Sequence, residues 1–218
     1  MAISALQRKN MVESQVRPSD VTDRRIMAAM QAIPRERFVP GPNAALAYMD
    51  EFLMLAPGRG MASPRTFARL VQLAEIEATD KVLDVGALTG YSAAVMANLA
   101  RDVVALESDQ DLAAWATKTL AELAIENVSV VTGELAKGCL ESAPYDVIMI
   151  EGAASQLPEK LVDQLAPGGR LVTIDAAGEI SLAVVLSRAA DGKISHRVAF
   201  EAAAPVLTGF AAVKGFVF

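Results

Sequence analysis

Histidine, cysteine and tryptophan each occur once in this 218-residue chain, as His196, Cys139 and Trp115. A lone cysteine excludes an internal disulfide framework and any zinc site built on a cysteine cluster. A lone histidine excludes two-histidine metal motifs within one chain. Basic residues number 20 against 26 acids and form no run, and the net charge of −6 argues against a non-specific binder of the nucleic-acid backbone. No apolar stretch approaches the ~20 residues of a membrane span. The opening MAISALQRKN turns charged too early for a signal peptide, so a cytoplasmic protein is expected. What is plentiful is apolar side chain: 53% of the sequence is hydrophobic, which supports a sizeable core and excludes intrinsic disorder. The length suits one α/β domain, alone or with a helical extension.

Residues 1–78 read differently from 79–218, and a division there is expected. Asp20 and Thr22 are candidate caps for a helix whose apolar face carries Ile26, Met30 and Ile33. Pro34 ends it, and PRERFVPGP follows as turn and loop. A second helix is predicted from Pro64 through Phe67, Leu70 and Val71 to Ala74. Between the helices, AYMDEFLMLAPGRGMAS shows no clear period and reads as a connecting or lid segment. From Lys81 the apolar runs VLDVG, VVALE, VSVVTG, YDVIMIEG and RLVTIDA predict a parallel sheet covered on both faces. Helices are predicted over YSAAVMANLA, through Trp115 and Leu123, and over LPEKLVDQL up to Pro167-Gly168-Gly169. ISLAVVLSR and ISHRVAFEA, joined through Asp191-Gly192, predict an antiparallel edge hairpin.

The chemistry-bearing feature is the turn after the first of these strands, Asp84-Val85-Gly86-Ala87-Leu88-Thr89-Gly90-Tyr91. A strand-to-helix turn of this kind can present backbone N–H groups to a ligand, with glycine allowing close approach. The nicotinamide fingerprint fails, because Leu88 and Tyr91 stand at its second and third glycines. Asp84, Gly86 and Gly90 keep a looser acid-x-Gly-x-x-x-Gly pattern. Glu107 closes the second strand, where an acid can accept from both ribose hydroxyls. Glu134 follows the third, within reach of an adenine edge. Acids at three successive strand ends favour a cationic nucleoside over a pyrophosphate dinucleotide, and S-adenosylmethionine fits that description best.

VLDVGALTGYSAAVMA resembles the first methyltransferase motif, and APYDVIMIEGAASQLPEKLVDQLAPGGRLV resembles the corresponding stretch of protein-L-isoaspartate O-methyltransferases. VTDRRIMAAMQAIPRERFVP, AYMDEFLML and PRTFARL match that family's N-terminal part in order and spacing, so the similarity spans roughly residues 10–175. The resemblance implies an α/β fold: a Rossmann-like S-adenosylmethionine-dependent methyltransferase sheet, mostly parallel with an antiparallel edge hairpin, plus an N-terminal helical extension. It implies carboxyl methylation of isoaspartyl residues in protein or peptide substrates, with no metal, nucleic acid or membrane involved. Asp84, Gly86, Ala87, Gly90, Glu107 and Glu134 are assigned to the cofactor, and Ser63 to the substrate loop as the candidate catalytic residue. Three departures bear on the substrate. Leu88 replaces the middle glycine of the turn, Ala62 stands at the family's substrate-loop serine, and Glu151 replaces a small or hydroxyl residue. They keep open an alternative: a weakened or redirected relative that binds S-adenosylmethionine or a protein partner without isoaspartyl repair.

A carboxylate acceptor, with a pKa near 4, is ionised at neutral pH and needs no general base. The absence of a histidine, cysteine or metal constellation is compatible with that chemistry. His196 reads as a hairpin surface residue, Cys139 as a small packing group, Trp115 as core or inter-helix packing, and Arg17 and Arg59 as solvated loop arginines, with contact to a substrate carboxylate as their alternative.

Overall fold

The computed structural model describes residues 2–156 and 158–212. Strands β1 (Leu53–Ala56) and β2 (Arg59–Met61) pair as a hairpin of their own. Strands β3 (Lys81–Val85), β4 (Asp102–Glu107), β5 (Val128–Thr132), β6 (Tyr145–Ala154), β7 (Leu165–Asp175), β8 (Leu182–Arg188) and β9 (Ile194–Glu201) form one seven-stranded sheet. Its order is β5-β4-β3-β6-β7-β8-β9; β3 to β7 run parallel, and β8 and β9 are antiparallel. The chain moves outward from β3 to β5 and then returns to β6. That reversal opens a crevice at the carboxyl ends of β3 and β6, where open α/β sheets place ligands.

The strands are apolar on both faces because both are covered. Val82, Val103, Ala105, Val147, Met149 and Val172 face one layer, which also holds buried residues of α2 (Arg24–Ala32), α3 (Pro64–Leu73), α4 (Tyr91–Met96) and α5 (Gln110–Glu122). Leu83, Val85, Val104, Ile148, Ile150 and Leu171, one residue out of phase, face the other, with Leu161 of α6 (Glu159–Val162), Leu207 and Phe210. The N-terminal helix α1 (Ala2–Met11) and the π-helical turn Val12–Val16 add Met11, Val12 and Val16 to the first layer. One apolar cluster thus runs from the N-terminal region into the sheet. Among the described residues, no helix is long and apolar enough to cross a membrane.

The local signals explain most elements. Asp23, not Asp20 or Thr22, caps α2 by accepting from the Arg25 N–H, while Thr22 and Asp23 donate their own N–H groups to Gln72 Oε1 on α3. Pro64 sits in the first turn of α3, where its missing N–H costs nothing. The stretch between these helices contains the β1–β2 hairpin, with Gly58 at φ +69° in its turn. The helix expected over LPEKLVDQL is confined to Glu159–Val162, and Leu157 lies outside the described residues. The chain becomes strand at Leu165 because Leu165 already pairs with Tyr145, and the Pro167-Gly168-Gly169 stretch is an irregularity inside β7. Trp115 is exposed on α5, its indole N–H donating to the Arg37 carbonyl.

Candidate active site

Asp84, Glu107 and Glu151 stand at or near the carboxyl ends of β3, β4 and β6, around the crevice. The turn from β3 into α4 is left-handed at three points, with φ +83° at Gly86, +53° at Leu88 and +91° at Gly90. Gly90 also has to be small, since a Cβ there would lie 3.0 Å from the Ala116 Cβ of α5. Leu88 therefore occupies a backbone conformation that costs an L-residue ~1–2 kcal/mol. Four of the turn's N–H groups are already engaged within the protein. Those of Gly86 and Ala87 donate to the Leu106 carbonyl, that of Gly90 to the Ala87 carbonyl, and that of Leu88 to Glu107. Ala87 itself is buried.

Glu107 is fully buried and accepts six hydrogen bonds, the longest from the Ser108 hydroxyl at 3.4 Å. Arg59 spans both oxygens, Nη1 to Oε1 at 2.6 Å and Nη2 to Oε2 at 2.8 Å. The backbone N–H groups of Leu88, Ser108 and Asp109 supply three more bonds of 2.7, 2.7 and 2.9 Å. Arg59 is thus a buried partner of the strand-end acid and not a solvated loop arginine. Its position between Gly58 and Gly60 was the available sequence signal; the identity of its partner, 48 residues away, was not.

Asp84 is also fully buried and accepts a 2.6 Å bond from the Ser92 hydroxyl through Oδ2, while Oδ1 has no partner. Desolvation pushes its pKa up to about 7; Glu107 adds to the rise, while Ser92 and Arg59 oppose it. Glu151 is part-exposed as a residue, but its Oε1 is enclosed and unpartnered. Burial and then the nearby Asp84 push its carboxyl well above the usual carboxylate range, against the pull of Arg35. The Tyr91 hydroxyl is a third enclosed, unpartnered group. A cavity of about 10 Å³ lies among Arg35, Met61, Ala62, Leu88, Tyr91 and Glu151. Arg35 is almost fully buried; it donates to the Ala47 and Ala62 carbonyls at 2.7 Å each and stacks on the Tyr91 ring at 4.6 Å. It ties the segment through Ala47 and Ala62 to α4, a role that nothing in PRERF signalled.

Ser63 caps α3: its Oγ accepts from the Thr66 N–H at 3.3 Å and lies 3.1 Å from the Thr66 hydroxyl. Glu134 is exposed and bonded to Lys137 Nζ at 2.6 Å. It lines a larger cavity of about 430 Å³ with Lys137, Gln156, Pro158, Gly209 and Phe210. That cavity has more room, but Asp84, Gly86 and Glu107 are not among its lining residues. The segment after β9 closes over this region. Val206 bridges Ala153, the Leu207 N–H donates to the Ala153 carbonyl at 3.0 Å, and a Cβ built on Gly152 would lie 2.6 Å from the Leu207 side chain.

The family model described as protein-L-isoaspartate(D-aspartate) O-methyltransferase matches residues 6–206. The chain belongs to that family. A protein-L-isoaspartate O-methyltransferase of Koribacter versatilis is 38% identical over 186 residues, covering 85% of this chain and 84% of the relative. A solved protein-L-isoaspartate O-methyltransferase superposes with a TM-score of 0.81 at 24% identity, over 93% of this chain and 66% of that one. A Plasmodium falciparum structure, described as a family member in complex with S-adenosyl-L-homocysteine, gives 0.77 at 21% identity, over 92% and 98%. These two structural likenesses support the methyltransferase fold. Within the family frame, Gly86, Gly90 and Glu107 lie together at the crevice, whereas Glu134 faces solvent and Ser63 serves the helix end.

Proposed function

We propose that this protein is an S-adenosylmethionine-dependent carboxyl O-methyltransferase acting on isoaspartyl residues of proteins or peptides. The observation that carries this reading is the family match over residues 6–206. The donor set supports it: the left-handed turn at Gly86 and Gly90, an acid at the end of β4, and a buried Asp84 near the end of β3 with one oxygen unpartnered. When bound, S-adenosylmethionine supplies an electrophilic methyl group. Glu107 would accept from the ribose hydroxyls once it is free of Arg59, the turn would lie against the methionine part, and Asp84 would offer its spare oxygen to the ammonium. Ser63 and the 61–63 backbone belong to the acceptor side of this reading.

The chain's own part in the reaction is orientation and exclusion of water. An acceptor carboxylate arrives ionised, so no side chain has to remove a proton. The carboxylate of Glu151 would repel such an acceptor if charged. Burial and then Asp84 raise its pKa, which weakens that repulsion by favouring the neutral acid. The test is methanol release from an isoaspartyl peptide incubated with the protein and S-adenosylmethionine. Release no greater than with the matching aspartyl peptide would sink the reading. A second reading, binding of S-adenosylmethionine or a protein partner without isoaspartyl turnover, draws support from the engaged Glu107 and the capping role of Ser63. It predicts ligand binding with no methanol.

A further inference from the structure

Arg59 begins β2, in the hairpin that stands outside the seven-stranded sheet. The hairpin's strands are pressed together at Gly60, where a Cβ would lie 2.3 Å from the Leu53 carbonyl oxygen. From this platform the Arg59 side chain crosses to the carboxyl end of β4 and lies over the glycine turn. A Cβ built on Gly86 would be 3.2 Å from its Nη2. There it covers both oxygens of Glu107. The two partners are unequally held. Glu107 keeps three backbone N–H donors whether or not Arg59 is present. Arg59 has a buried Nε with no acceptor, a cost that favours its leaving.

We propose that Arg59 is a plug: in the ligand-free protein it occupies the carboxylate that the ribose hydroxyls of the cofactor need, and binding requires the β1–β2 hairpin to lift it away. The proposal rests on the reading of this crevice as an S-adenosylmethionine site. Ribose and guanidinium compete for one acceptor group. The apparent dissociation constant is therefore the intrinsic one divided by the unplugged fraction. Removing the guanidinium leaves Glu107 anchored by its backbone donors and open to the ligand. Lysine, a single-point donor, cannot span both oxygens as arginine does.

The experiment is calorimetric titration of S-adenosylhomocysteine into wild type, Arg59→Gln and Arg59→Lys, with hydrogen exchange of residues 53–61 in the wild type, free and bound. The plug predicts binding at least ~10-fold tighter for Arg59→Gln, about 1.4 kcal/mol. It also predicts an intermediate value for Arg59→Lys and faster exchange of the wild-type hairpin once ligand is bound. If wild type binds and Arg59→Gln binds equally or more weakly, the plug is refuted and the cofactor reading stands. No binding by any of the three overturns both. Should Arg59→Gln fail to fold, Arg59→Lys and the wild-type exchange decide, and slower hairpin exchange on binding would refute the plug.

Discussion

Replacing Leu88 inverts the usual ranking of alanine and glycine. Leu88 has φ +53° and is 4% exposed, so it combines an unfavourable backbone with a well-buried side chain. Leu88→Ala loses the buried side chain, worth ~2–5 kcal/mol at such sites, and keeps the left-handed strain. Leu88→Gly loses the same packing but releases ~1–2 kcal/mol of strain. At an ordinary position, glycine is the worse of the two by about 0.5–1 kcal/mol. Here, with positive φ, it should be the better by ~1 kcal/mol. The assay is equilibrium urea unfolding of both variants with unchanged m-values. Leu88→Ala matching or exceeding Leu88→Gly in stability would refute the claim that the turn is strained at this residue.

Three further outcomes follow from the site. Ser63→Ala should lower stability by about 1 kcal/mol in urea unfolding, because the α3 cap is lost; a change near zero would deny the cap. Asp84 has its folded pKa raised from 3.8 to about 7, so its stabilising contribution is complete below pH ~4 and is lost as pH rises through 7. The wild type should therefore lose up to ~4 kcal/mol relative to Asp84→Asn across that window, read by urea unfolding at successive pH values. A parallel pH dependence would remove this account of Asp84. Glu151→Gln, which cannot place a negative charge beside an ionised acceptor, should keep or raise kcat/KM for an isoaspartyl peptide at pH 7. A loss of more than tenfold there would show that the ionised form is needed.

The sheet was legible because its strands carry continuous β-branched runs, from Val82 to Ile174, and the edge hairpin because Asp191-Gly192 marks its turn. The β1–β2 hairpin was not, since strands of four and three residues offer too few positions for an alternating pattern. The helix over 157–165 was overestimated because its apolar spacing is helical, while pairing of Leu165 with Tyr145 pulls its end into the sheet. At the site, Asp84, Gly86, Gly90 and Glu107 could be read from their places at strand ends. Arg59 and Arg35 could not, because their hydrogen-bond partners lie 48 residues away for Arg59 and up to 27 for Arg35. Nor does local sequence tell that Glu134 turns outward to Lys137 or that the Ser63 hydroxyl serves a helix end.

The most direct test of the proposed activity compares an isoaspartyl peptide with its aspartyl isomer, each incubated with the protein and S-adenosylmethionine and followed by mass spectrometry. The account predicts the mass of one added methyl ester on the isoaspartyl peptide, lost in mild base, and none on the isomer. Equal modification of both, or of neither while S-adenosylhomocysteine binds, would contradict it.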